Sequence, residues 1–175
     1  MSTFAQSLDQ ENKKTAPHHI QQNVLYCANA IKHKCLNNRS TGYISGFISS
    51  YNNEPAVNII DKLSYEPSAA EMEKKLRKST LNKPSKESKT HLYQDSTGKC
   101  FRQPMLTCSP DDAVFFSDAL IKAIKDLGFM NYAVTPIALK HIERTITPAS
   151  IFSPIKVIDK TVGSPCYMFH IEIRW

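Results

Sequence analysis

The ten residues CYMFHIEIRW (Cys166–Trp175) decide the fold class, because they alternate without a break. Tyr167, Phe169, Ile171, Ile173 and Trp175 fall on one side of an extended chain, and Cys166, Met168, His170, Glu172 and Arg174 on the other. Such a strand borders a core, and its apolar side, Trp175 included, is expected to face inward. Just upstream, Gly163-Ser164-Pro165 has turn chemistry, so the strand reads as the second arm of a C-terminal β-hairpin placed in the core.

The material to cover that strand lies in two helical patterns. In SPDDAVFFSDALIKAIKDLGF (109–129), Ser109 suits the N-cap, Pro110 the first helical position, and Asp111 and Asp112 the positive end of the dipole. Ala113, Phe116, Leu120, Ile124 and Leu127 share a face, and Gly128 suits the left-handed cap. Between His18 and Leu36, Ile20, Val24, Cys27, Ile31 and Cys35 recur every three or four residues. GYISGFISSY (42–51) reads as a strand, and EPAVNIIDKL (54–63) as a short helix with Pro55 in its first turn.

In SAAEMEKKLRK (68–78), Ser68 and Glu71 have capping-box spacing, and Glu71/Lys75 and Glu73/Arg77 are i,i+4 pairs. THLYQDSTGKCFRQPML (90–106) predicts a hairpin turning at Asp95–Gly98, with Pro104 limiting its second strand. A short strand at Met130–Val134 and a helix starting at Thr135-Pro136 follow. The expected fold is α+β, an antiparallel sheet covered on one side by helices. It forms a single domain over 17–175, with a flexible tail at 1–16 and an exposed basic linker at about 82–90.

With 175 residues, 41% of them hydrophobic, the chain has the apolar material for one core. No window approaches the ~18 apolar residues of a membrane-spanning helix. The N-terminus lacks the apolar run of a signal peptide, and five scattered cysteines suit reduced thiols, so a soluble cytoplasmic protein is expected. The net charge of +6 is local. From Lys74 to Arg102 there are nine basic and two acidic residues, whereas the rest of the chain has 13 and 14.

That segment carries the functional expectation. Lys74, Lys75, Arg77 and Lys78 on a helix, with His91, Tyr93, Lys99, Phe101 and Arg102 on the hairpin, combine cations with aromatic rings. The reading is a non-catalytic binding protein that contacts a protein partner through this helix and hairpin. The alternative is a non-specific nucleic-acid binder, in which the same cations neutralise phosphates and the rings stack on bases. A third reading is a thiol-dependent hydrolase. Cys166 or Cys100 would be its nucleophile and His170, His91 or His141 the imidazole, although no family-type signature surrounds either cysteine.

The C-x7-C spacing of Cys27/Cys35 and Cys100/Cys108 is too wide for a structural zinc knuckle, and the five glycines form no phosphate loop. No metal or cofactor is expected. His170, Glu172 and Arg174 align on one strand face, which an ordinary solvent-facing strand explains.

Overall fold

The computed structural model describes residues 18–50, 57–81, 83–102 and 109–175; the expected tail, Pro55, Pro104 and Cys108 lie outside them. Among the described residues there are three helices and eight strands, and the strand pairs are antiparallel, which makes the architecture α+β. The chain divides into two compact units, each assembled from separate stretches of sequence.

The first unit holds α1 (His18–Asn37), β1 (Tyr43–Ser50), β2 (Val57–Ile60), α3 (Pro110–Asp126) and most of the final strand, β8 (Cys166–Arg174). Here β1 pairs with β2 on one side and β8 on the other, setting Ile44 opposite Ile173, Gly46 opposite Ile171 and Ile48 opposite Ile59. These residues define the buried face. α1 packs on β1 and β2 and also against α3, burying Ile20, Val24, Cys27 and Ile31 with Ala113, Phe116, Leu120 and Ile124. The rings of Phe116 and Phe169 meet at 4.5 Å. Gly46 is required by close approach: a Cβ there would lie 2.6 Å from Ile59 Cγ2 and 2.7 Å from the Ile60 carbonyl oxygen.

The caps of α3 are those the sequence predicts. Ser109 accepts from the Asp112 amide, Pro110 opens the helix, and Gly128 adopts φ +91° just past its end.

The second unit holds β3 (Tyr65–Glu66), α2 (Ala69–Lys78), β4 (Ser88–Gln94), β5 (Cys100–Phe101), β7 (Lys156–Thr161) and the larger part of β6 (Asn131–Thr147). Its strands follow the order β3-β5-β4-β6-β7. The predicted hairpin is β4–β5, turning through Asp95–Gly98 with Gly98 at φ +83°. α2 lies against β7.

Four expectations are corrected. Residues 57–60 form a strand rather than a helix, because β-branched Val57, Ile59 and Ile60 pair with β1. The Thr135-Pro136 helix is instead the middle of β6. Leu139 and Ile142 are both buried but on opposite faces of that strand, and burial on both faces produces a spacing that mimics a helix. The C-terminal hairpin is absent as drawn: β7 pairs with β6 and β8 with β1, so Lys156–Thr161 forms its hairpin with the strand before it. Phe169, Ile171 and Ile173 are buried as expected, yet Trp175 is 48% exposed. It follows the end of β8, where its amide donates to the Gly42 carbonyl and its ring lies 5.9 Å from Phe129.

Candidate functional site

Helix α2 begins where its sequence says it should. Ser68 accepts from the Glu71 amide, and the Glu71 carboxylate accepts from the Ser68 amide and hydroxyl. Those bonds hold the Glu71 carboxyl below the usual range. Glu71 is therefore engaged at the cap, while the second predicted pair forms, Glu73 to Arg77 at 2.7 Å.

No residue of α2 is buried. It is nevertheless fixed to the sheet by two side chains that reach backbone groups of the β7 strand region. Glu73 accepts from the Val157 amide at 2.9 Å, and Arg77 Nε donates to the Ile155 carbonyl at 3.2 Å. On this anchored helix Lys74, Lys75 and Lys78 are exposed, and among the described residues none has a carboxylate within ion-pairing distance.

The hairpin residues divide between the two faces of the second unit's sheet. Strand alternation puts Lys89, His91, Tyr93 and Phe101 on one face, with His141 of β6. A line of rings runs across it: Tyr65–Phe101 at 6.1 Å, Phe101–Tyr93 at 6.0 Å, Tyr93–His141 at 5.8 Å and His141–His91 at 4.9 Å. Lys99 sits over Tyr65 at 5.2 Å, and Lys89 pairs with Glu143. Phe101 is completely buried, Tyr93 partly so, and His91 is exposed.

The opposite face carries Cys100, Arg144 and Asp159, and this is the side on which α2 lies. Arg102 is found here too, paired with Glu66 at 3.1 Å. The basic helix and the aromatic hairpin face therefore do not form one surface. Lys89, expected in the exposed basic linker at about 82–90, is a strand residue.

Arg144 is the feature that sequence patterning missed. It is fully buried, and its Nε and Nη2 donate to the two Asp159 carboxylate oxygens at 2.7 Å each, while Nη1 donates to the Pro67 carbonyl at 2.8 Å. The bonds to Asp159 raise the Arg144 pKa against the opposing effect of burial. No periodicity marks an arginine and an aspartate as a cross-strand pair until β6 and β7 are known to be neighbours.

Beside this pair is a cavity of about 330 Å³ lined in part by Glu66, Glu71, Gln94, Lys99, Cys100 and Asp159. Each of its three carboxylates already has a partner: Arg102, the α2 cap, and Arg144. The Cys100 thiol is pushed up by burial and by the charge of Asp159, with Arg144 opposing, so it is held away from the thiolate form. His91 and His141, on the other sheet face, do not reach it.

Burial also raises Cys166 and Cys35, and pushes Cys27 up to about 12. His170 contacts the Ser45 hydroxyl at 3.1 Å and the Phe47 ring at 4.8 Å, which makes it a packed strand-face residue. Among the described residues no cluster of three or more His, Cys, Asp or Glu side chains could hold a metal ion. The chain matches no protein-family model, and no curated protein or solved structure shows significant similarity to it.

Proposed function

We propose that this chain is a non-catalytic binding protein that docks on an acidic partner surface through α2. The observation that carries the reading is a helix with no buried residue that is still held at its N-cap, at Val157 and at Ile155. Its free cations, Lys74, Lys75 and Lys78, are thus presented on an ordered backbone and lose less conformational freedom on engagement than linker lysines would. The raised thiols of Cys27, Cys35, Cys100 and Cys166 weigh against the hydrolase reading. Nucleic-acid stacking is the less favoured binding mode, since Phe101 offers no ring face and the remaining rings lie across the sheet from α2.

Retention on immobilised poly-L-glutamate tests the reading. The triple variant K74E/K75E/K78E should lose retention with an unchanged melting temperature, whereas K83A/K86A should be retained like the parent chain. Equal retention of the triple variant would refute the assignment to α2. Capture from cell extract, with and without nuclease, separates a protein or lipid partner from nucleic acid.

A further inference from the structure

The turn joining β6 to β7 presents two large apolar side chains to solvent side by side: Ile151 is 96% exposed and Phe152 95%. This is not a loose loop. The Ser150 hydroxyl accepts from the amides of Phe152 and Ser153 and contacts the Ser153 hydroxyl, and the Ser150 amide donates to the Ser153 carbonyl. A turn tied at both ends around one serine thus holds Ile151 and Phe152 at its tip. Three residues beyond Phe152, the Ile155 carbonyl accepts from Arg77 in the last turn of α2. Arg77 thus brings the last turn of α2, with Lys78, to the chain that leads out of the prong.

We infer that this surface docks on an anionic lipid bilayer, with Ile151 and Phe152 entering the acyl boundary and Lys74, Lys75 and Lys78 meeting the headgroups. The inference rests on the reading of α2 given above and names its partner. A protein would have to bring a pocket fitted to two adjacent protruding side chains, whereas hydrocarbon accepts any apolar tip. Acidic headgroups also surround an inserted tip on every side, where set-back cations meet them. Neither contribution suffices alone, because interfacial binding scales with inserted apolar area plus attraction to anionic lipid. Among the described residues no helix is long and apolar enough to cross a membrane, so docking would be by this surface.

Co-sedimentation with phosphatidylcholine vesicles, with and without phosphatidylserine, tests it. The parent chain should partition onto the phosphatidylserine vesicles and only weakly onto phosphatidylcholine alone. Each cation of α2 removed should lower partitioning roughly fivefold. The double variant I151S/F152S changes only exposed side chains and should keep its melting temperature, while partitioning falls on the order of tenfold or more. Retention of that variant on poly-L-glutamate should be unchanged. If I151S/F152S partitions like the parent, or the parent ignores phosphatidylserine vesicles, the bilayer inference fails. The basic-helix reading then stands or falls separately on the K74E/K75E/K78E column result, and capture of an acidic protein independent of the prong would make that protein the partner.

Discussion

Replacing Asp159 with Asn keeps the shape of the side chain and removes the charge that compensates Arg144. Two hydrogen bonds of 2.7 Å connect the pair, and the Arg144 side chain has 2% of its surface exposed against 21% for Asp159. Removing one partner of a buried ion pair costs about 3–5 kcal/mol, because the other charge is left without compensation. The lower end applies here, since water reaches Asp159 from one side and the bond from Nη1 to Pro67 survives, so about 3 kcal/mol is expected. Urea unfolding at pH 7, followed by far-ultraviolet circular dichroism, should show the midpoint falling by roughly 1–3 M at ordinary m-values.

The exposed pair Lys122–Asp126 on α3 supplies the control, and D126N should cost less than about 0.5 kcal/mol. Replacing both partners, as R144M/D159V, should recover much of the loss, because two apolar side chains need no compensation. If D159N cost no more than D126N, burial would not govern this pair and the argument would fail.

Gly46→Ala should lower stability by about 1–3 kcal/mol in a thermal melt, since its Cβ would meet the Ile60 backbone as well as the Ile59 side chain. Asp95 is pushed up by partial burial, but hydrogen bonds from the Thr97 hydroxyl and amide, the Tyr65 hydroxyl and the Lys99 amide outweigh this and hold it below the ordinary range. Its stabilisation is therefore complete above about pH 4 and is lost as pH falls through the lower folded value, so Asp95→Asn should flatten the acid limb of a pH–stability profile. In the native protein at pH 7.5, Cys27, Cys35, Cys100 and Cys166 should alkylate with iodoacetamide more slowly than free cysteine; mass spectrometry showing a rapidly labelled site among them would revive the hydrolase reading.

The elements that were legible in the sequence are those whose signals are local. The capping box at Ser68–Glu71, the Ser109-Pro110 start and Gly128 stop of α3, and the turn at Asp95–Gly98 depend on residues within about four positions of one another. The errors occur where pairing at long range decides. Val57–Ile60 has enough apolar residues to suit a helix, and only the neighbouring β1 makes it a strand. Leu139 and Ile142 look helical because β6 is buried on both faces there, which the pattern of a single strand cannot announce. Trp175 continues the alternation of β8 but lies one residue past its last strand position, where the alternation no longer ensures burial.

The same limit applies to the basic segment. Its charge can be counted along the chain, but three of its cations are neutralised by acids outside it: Arg77 by Glu73, Lys89 by Glu143 and Arg102 by Glu66. A fourth, Lys99, is turned onto the Tyr65 ring. Of the nine candidate contact residues, Phe101 is withdrawn into the core and His91 and Tyr93 are carried to the opposite sheet face. What remains exposed, ordered and unpaired is Lys74, Lys75 and Lys78. The fold thus reduces a diffuse positive stretch to three lysines on one anchored helix beside the Ile151–Phe152 turn. Long-range attraction to any anionic surface would come from the whole segment, whereas the contact proposed above falls to these three lysines, because of the candidate cations on described elements they are the ones left exposed, ordered and unpaired.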